Sequence, residues 1–225
     1  MTQPSTDPEE QADGIEALLE RMGGKRKDPK GPPQFVMPGN RFLQVKKALK
    51  RPGIKKFIRP ENARCVREHL PERGDHVHAL LRGDFVLGDM IEHILESQAS
   101  AHLRIATLGL SPHNAASLAR LATANSVRKI TIVCSHYFQQ VNRDTTYQEV
   151  KNALDHTGIA QLVVTRSHAK VILAPTDSGQ FYVIEGSSNL RSSDNLEQMT
   201  IFNDQELHDW HAAWIDDIAT RETHQ

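Results

Sequence analysis

The sequence of 225 residues contains only two cysteines, Cys65 and Cys134, and only 5% aromatic residues. Two cysteines are too few for a disulfide framework, and no Cys/His spacing is typical of a zinc site despite twelve histidines. No apolar run approaches the about 20 residues that span a membrane. Residues 1–20 contain no Lys or Arg, which argues against a secretory signal or a transit peptide. We therefore expect a cytoplasmic protein with no membrane partner and no metal.

The formal net charge of −1 hides a strong separation of charge along the first 60 residues. Residues 1–20 carry six acidic side chains, whereas residues 21–60 carry thirteen basic side chains opposed by one acid, Asp28. A basic segment of this density attracts polyanions, with an affinity that falls steeply as salt rises. The competing interpretation is a solvated tail. The side chains that we expect to contact nucleic acid, DNA or RNA, are Lys25, Arg26, Lys27, Lys46, Lys47, Lys50, Arg51, Lys55 and Lys56.

The composition divides the chain into three parts. Residues 1–35 are expected to be a disordered tail, and residues 36–75 a basic linker with short helices. Residues 76–225 alternate apolar strands with amphipathic helices, which predicts an α/β domain with a mixed, mostly parallel sheet and helices on both faces. The predicted strands are 103–110, 129–135, 161–165, 171–174, 181–184 and 199–202. The predicted helices are 85–95, with Asp84 as its cap, 115–124, 147–154 and 206–218.

The most informative stretch is a predicted β-hairpin, in which the apolar runs 171–174 and 181–184 flank a series of turn residues. Folding this hairpin brings together four polar side chains that lie just outside its strands: His168, Lys170, Ser187 and Asn189. An imidazole, an ammonium, a hydroxyl and an amide around one point suit a tetrahedral oxyanion such as phosphate. The hairpin therefore predicts a phosphate-binding and catalytic site.

With Gly186, these residues read His-x-Lys followed by Gly-Ser-x-Asn, and over about residues 76–220 the chain resembles the phospholipase D superfamily in its single-motif, nuclease-like branch. The resemblance implies catalytic roles for His168, Lys170, Ser187 and Asn189, with Gly186 in support. A Glu or Gln downstream of the Asn commonly orients the catalytic histidine in this family. Glu197 stands in the matching place, so the resemblance assigns it that role.

The chain departs from the family pattern at one position. The family places an aspartate after four intervening residues, where this chain has Pro175, and the nearest acid is Asp177. A proline cannot supply a carboxylate, so either Asp177 reaches the supporting role or that role is unfilled. The displacement puts the reaction rate in doubt more than the fold.

The resemblance implies a two-step phosphodiester transfer that needs no metal or other cofactor. One histidine attacks phosphorus to give a phosphohistidine, a second histidine protonates the leaving oxygen, and water then releases the product. The sequence contains a single His-x-Lys motif, so we expect a homodimer with His168 of each subunit facing the other. The favoured function is a nuclease. The alternatives are a catalytically impaired nucleic-acid-binding protein and, less favoured, a phospholipid hydrolase.

Polar residues at the ends of two other predicted strands are weaker candidates. Thr107 and Ser111 lie at the end of one strand, and a structural role is the better interpretation for both. His136 follows another strand and could supplement the site. Arg166 could bind a neighbouring phosphate. Arg191 could do the same, and a salt bridge to Asp194 or Glu197 is an equal alternative for it.

Overall fold

The computed structural model describes residues 55–222 except 83, 84, 86, 97, 144 and 191–194. The predictions for residues 1–54 lie outside the described residues, as do those for Asp84 and Arg191. The same holds for seven of the proposed nucleic-acid contacts: Lys25, Arg26, Lys27, Lys46, Lys47, Lys50 and Arg51.

Within the described residues, eight strands form one sheet. They are β1 (Lys55–Ile58), β2 (His76–Leu81), β3 (Leu103–Thr107), β4 (Ile130–Ser135), β5 (Ala160–Thr165), β6 (Val171–Pro175), β7 (Phe181–Gly186) and β8 (Glu197–Asn203). Their order across the sheet is β1-β2-β8-β7-β6-β3-β4-β5. The pairs β1–β2, β3–β4 and β4–β5 are parallel, and the other four pairs are antiparallel. Six of these strands therefore run in one direction and β6 and β8 run in the other, which confirms a mixed, partly parallel sheet.

Six helices cover the two faces of this sheet in the described part of the chain. They are α1 (Ala63–Glu68), α2 (Leu87–Leu95), α3 (Pro112–Thr123), α4 (His136–Val141), α5 (Thr146–Asp155) and α6 (Gln205–Glu222). Helices α1 to α5 pack their apolar side chains into one large core, whereas α6 packs Ala212, Ile215 and Ala219 into a second core on the opposite face. Helices on both faces are thereby confirmed. None of the described helices is long and apolar enough to cross a membrane.

Strand β4 shows why a sheet covered on both faces gives a continuous apolar run. Successive side chains point to opposite faces, so Ile132 and Cys134 enter the large core while Val133 meets the α6 side. Every residue of β4 is buried. Each fully buried aliphatic side chain contributes about 1.5–3 kcal/mol to folding. Burial also raises the pKa of the Cys134 thiol to about 12, as expected for a cysteine inside the sheet.

The stretch 55–75, which the sequence analysis assigned to a linker with short helices, contributes both a strand and a helix. Strand β1 pairs in parallel with β2, so the sheet begins no later than Lys55. β1 escaped prediction because three of its four side chains, including Lys55 and Lys56, are exposed at the edge of the sheet. The domain boundary at residue 76 stays a prediction.

The strand directions give the sheet two chemically different edges. The carboxyl ends of β1, β2, β3, β4, β5 and β7 meet at one edge, together with the amino ends of β6 and β8. We call it the carboxyl edge, and the opposite one, which includes the turn between β6 and β7, the turn edge. Open α/β sheets bind ligands beyond the carboxyl ends of their strands.

Candidate active site at the carboxyl edge

The hairpin β6–β7 brings the two halves of the sequence motif to the carboxyl edge. His168 and Lys170 lie on the loop that enters β6, and Gly186 ends β7. Because Val171 pairs with Glu185, Lys170 and Gly186 follow side by side at the open end of the hairpin. His168 is exposed and Lys170 is half-buried. The Lys170 ammonium donates a hydrogen bond to the backbone carbonyl of His168 at 2.9 Å, which closes this loop on itself.

A second group of polar atoms joins Ser187 to the start of β8. The Ser187 hydroxyl donates to the carboxylate of Glu197 and accepts from the backbone N–H of Gln198 at 3.1 Å. The Ser187 N–H in turn donates to the Gln198 carbonyl at 2.9 Å. A hydroxyl carries one proton, so that of Ser187 is committed to Glu197. The bond from Glu197 to His168 that the resemblance implies is not among the hydrogen bonds of the described residues.

The side chain of Asn189 is oriented by the backbone that leaves β3. The N–H of Leu108 donates to the Asn189 side-chain oxygen at 3.1 Å. A backbone N–H can only donate, so the accepting atom must be the oxygen, and the amide nitrogen remains as a donor for a ligand. The structure thus orients Asn189 as a neutral hydrogen-bond donor.

Thr107 holds the loop that carries the Gly-Ser-x-Asn residues. Its hydroxyl is fully buried, accepts from the N–H of Leu190 at 3.1 Å and donates to the carbonyl of Gly109 at 3.1 Å. The Leu190 carbonyl also accepts from the Ser111 N–H at 2.7 Å. Thr107 therefore ties the loop after β7 to the loop after β3, in agreement with the structural interpretation of this residue.

Gly186 is required by the close approach of β7 and β8. A Cβ atom at this position would lie 2.3 Å from the carbonyl oxygen of Gln198 and 2.9 Å from the Cα of Met199. Real Cβ atoms do not approach backbone atoms so closely. The glycine lets β8 come near enough for Ser187 to reach Glu197.

Asp177 does not lie at the site, and its expected supporting role is corrected. It occupies the turn edge, where both carboxylate oxygens accept from the Arg128 guanidinium at 2.8 and 2.7 Å. This hydrogen-bonded guanidinium lowers the pKa of the carboxyl. At about 3.3 Å per residue, the five residues of β6 separate the turn from Lys170 by about 16 Å. Pro175 ends β6 at that same distant edge, so its substitution for an aspartate removes no group from the carboxyl edge.

The weaker candidates are placed as follows. Ser111 caps α3 by accepting from the N–H of Asn114, and Ser135 caps α4 in the same way. His136 begins α4 and is exposed, and Arg166 is exposed after β5. Of the proposed nucleic-acid contacts within the described residues, Lys55 and Lys56 lie on β1, and both are exposed.

One polar contact beneath the site was missed by the sequence analysis. The buried ring of His211, on α6, meets the Glu185 carboxylate through Nε2 at 2.8 Å and accepts from the Trp214 indole N–H through Nδ1 at 3.0 Å. An indole N–H can only donate, so the proton of the neutral His211 ring lies on Nε2 and is directed at Glu185. The contact ties α6 to the residue before Gly186. The i, i+3 spacing of His211 and Trp214 was a signal for their contact, but nothing local pointed to Glu185.

Comparison with known proteins finds similar solved structures but no matching family model or curated protein. The structure is similar to Nuc from Salmonella typhimurium, a phospholipase D family member, with 21% identity, a TM-score of 0.45 and coverage of 57% of this chain and 84% of that one. Solved structures of the phospholipase D family are thus among those that resemble this one.

Two further solved structures are also similar to this one. NucT from Helicobacter pylori has 17% identity and a TM-score of 0.45 over 64% of this chain and 96% of that one. Yeast tyrosyl-DNA phosphodiesterase has 19% identity and a TM-score of 0.37 over 56% of this chain and 31% of that one. At such low identities and scores these likenesses carry no argument about activity, so the resemblance to the superfamily rests on the motif residues themselves.

Proposed function

We propose that this protein is a metal-independent phosphodiesterase that cleaves nucleic acid, DNA or RNA, through a phosphohistidine intermediate. The observation that supports the proposal is that the elements carrying five chemically matched side chains end at the same carboxyl edge: His168, Lys170, Ser187, Asn189 and Glu197. One cation and two neutral donors around an exposed imidazole suit a phosphodiester anion. The dense basic segment of residues 21–60 favours a polyanionic substrate over a phospholipid.

In the first step the unprotonated nitrogen of His168 attacks phosphorus, and the bond from phosphorus to the leaving oxygen breaks. Lys170 and the Asn189 amide nitrogen donate to the non-bridging oxygens, where negative charge is greatest. A second histidine donates the proton that the leaving oxygen needs. In the second step that histidine takes a proton from water, which attacks phosphorus and releases His168.

Because Ser187 donates its only proton to Glu197, substrate binding would also change what Glu197 can bind. When a phosphate arrives, the Ser187 hydroxyl can turn its single proton from the carboxylate to a phosphate oxygen. The Glu197 carboxylate then becomes available to accept the N–H of His168, which fixes the tautomer and directs the other nitrogen at phosphorus.

The second histidine is proposed to come from a second copy of the chain. The sequence has one His-x-Lys motif, and both His168 and Ser187 are exposed, so the site is open on one side. A homodimer with two facing sites would place His168 of the partner subunit where a general acid is needed.

Cleavage of labelled DNA and RNA oligonucleotides in excess EDTA tests this proposal. We expect the wild-type protein to cleave and the His168→Ala variant to lose about 10³-fold or more in rate. His156→Ala, which removes an exposed histidine after α5, is the matched control and should keep full activity. Cleavage that His168→Ala leaves intact would refute the mechanism. Salt-sensitive binding without any cleavage would instead support the impaired binding protein.

The molecular mass of the active species tests whether the site is shared between two subunits. Light scattering and activity are measured on the same samples across a dilution series, and activity should fall as the dimer dissociates. An active monomer would contradict the shared site while leaving the phosphodiesterase proposal in place.

A further inference from the structure

One part of the sheet surface, outside the proposed site, is rich in aromatic and histidine rings. Helix α6 packs against β3 to β7, and beside it the side chains of β1, β2 and β8 on the same face are exposed or half-buried. We call this surface the ring face. It is formed by Lys55 and Phe57 of β1, His76, His78 and Leu80 of β2, and Thr200 and Phe202 of β8.

The aromatic rings of this face stack in pairs across neighbouring strands. Phe57 lies over His78 with ring centres 5.2 Å apart and planes only 16° from parallel, and His76 lies over Phe202 at 5.6 Å and 28°. The His78 ring is held by a 2.9 Å hydrogen bond between Nδ1 and the Thr200 hydroxyl. Phe57 is nevertheless 78% exposed, so the outer surface of a positioned ring is open to a ligand.

The charge around these rings favours an anionic ligand with flat groups. Lys55 pairs in register with His76, so its ammonium lies on the same face as the rings. Burial, His78 and Lys55 lower the pKa of His76, with Asp75 opposing them, so this ring is uncharged at neutral pH. Flat rings beside the exposed Lys55 provide a stacking surface and backbone attraction together.

The ring face leads directly to the candidate active site. Leu80 pairs with Gln198, whose backbone is hydrogen-bonded to Ser187 at the carboxyl edge. Along β8 the five residue-to-residue steps from Phe202 to Glu197 span about 17 Å at about 3.3 Å per step. A strand of nucleic acid lying on the rings would therefore reach the site after a few nucleotides.

We propose that the ring face is a stacking platform for single-stranded nucleic acid, which delivers the scissile phosphate to His168. The proposal rests on the proposed function and narrows its substrate to single strands, because the faces of paired bases are hidden inside a duplex. Base–aromatic stacking tolerates any sequence, since every base has a flat face. The Phe57 ring would receive the base and Lys55 the backbone.

Binding is measured with the full chain carrying His168→Ala, so that the probe stays intact. The probes are a fluorescent single-stranded oligonucleotide and an abasic oligonucleotide of equal length, followed by anisotropy. Phe57→Leu should weaken binding to the first probe about 5- to 100-fold, as expected for one lost stacking contact, and leave the abasic probe unchanged. Phe57→Trp should retain binding, and Val141→Ala, an exposed apolar position on α4, should have no effect. Equal loss on both probes, or none, would overturn the platform.

A small reporter separates this proposal from the one on which it rests. Bis(p-nitrophenyl) phosphate needs no platform, so Phe57→Leu in the otherwise unchanged protein should hydrolyse it at the wild-type rate. If the wild type hydrolyses the reporter but oligonucleotide binding does not depend on Phe57, the platform is rejected and the phosphodiesterase proposal is kept. If binding depends on Phe57 but the reporter is not hydrolysed, the phosphodiesterase proposal is rejected and the platform is kept as a binding surface. A Phe57→Leu protein that loses its dimer but binds the oligonucleotide normally would show that the ring face joins two copies, which also overturns the platform.

Discussion

The two ends of the hairpin β6–β7 differ in how their polar side chains are satisfied. At the turn edge both oxygens of Asp177 are bound by the fork of Arg128, and the contact is complete. At the carboxyl edge Ser187 holds Glu197 through a single proton, and the Asn189 amide nitrogen remains as a donor. At the first end the two charged groups are therefore already paired with each other.

This difference explains how one pair of strands can be structural at one end and carry the proposed site at the other. A carboxylate with both oxygens in a bidentate pair fixes the turn, whereas a hydroxyl that donates its one proton to a carboxylate can turn that proton to another acceptor. The position of a side chain along the strand decides its role, because about 16 Å of β6 separates the ends. Substitutions at the two ends should therefore have unlike consequences.

The largest expected difference follows from Glu197→Gln at the carboxyl edge. An amide cannot accept the His168 N–H with the strength of a carboxylate. We expect kcat for oligonucleotide cleavage to fall about 10- to 100-fold, equivalent to the about 1.5–3 kcal/mol of a hydrogen bond to a charged group. KM and the unfolding midpoint should change little.

Glu197 acts through its neighbours, so its role has to be separated from a structural one. In the proposed exchange Ser187 and Glu197 form one unit, and the double variant Ser187→Ala/Glu197→Gln should lose less than the product of the single losses. Wild-type kcat in the Glu197→Gln protein, or losses that multiply, would argue against the exchange.

Glycine substitutions test whether strand spacing matters equally at both ends. Gly186→Ala must separate β7 from β8, so we expect a loss of about 1–3 kcal/mol in the free energy of unfolding, together with reduced kcat. Gly179→Ala at the turn edge meets open space but a φ of +85°, which costs about 1–2 kcal/mol. Urea denaturation gives both values. A Gly179→Ala variant with reduced kcat would contradict the independence of the two ends.

The sequence predicted those elements that carry a strong local signal. Strands β6 and β7 are continuous apolar runs bounded by turn residues. The His-x-Lys residues lie just before β6, and the Gly-Ser-x-Asn residues lie at the end of β7 and just after it. Strand β1 could not be found in this way, since an exposed edge strand such as Lys55–Ile58 has no buried face to impose alternation. In β2, half-buried His76 and His78 alternate with buried Val77 and Ala79, and this alternation is a sequence signal for a strand that the prediction did not include.

Contacts between distant parts of the chain explain the rest of the differences. The assignment of Asp177 to the site counted residues from Lys170, whereas its partner Arg128 lies 49 residues away in sequence. The Ser187–Glu197 bond likewise depends on how closely β8 approaches Gly186, a spacing that no local pattern encodes. The local pattern thus predicted the candidate site, and packing between strands determined which of its side chains bond to one another.

The smallest effect is expected from Asp177→Asn at the turn edge. Both members of the Arg128 pair are about half exposed, so solvent weakens their attraction, and we expect a fall in unfolding midpoint smaller than that of Gly186→Ala, with unchanged kcat. The folded-state pKa of Asp177 lies below the ordinary 3.8, so the contribution of the pair is present above pH 3.8 and disappears as pH falls through the lowered value. Thermal unfolding of both proteins should therefore differ at pH 7 and converge in acid. A fall in kcat for Asp177→Asn would show that the turn edge does act on the site, and that the two ends are coupled through β6.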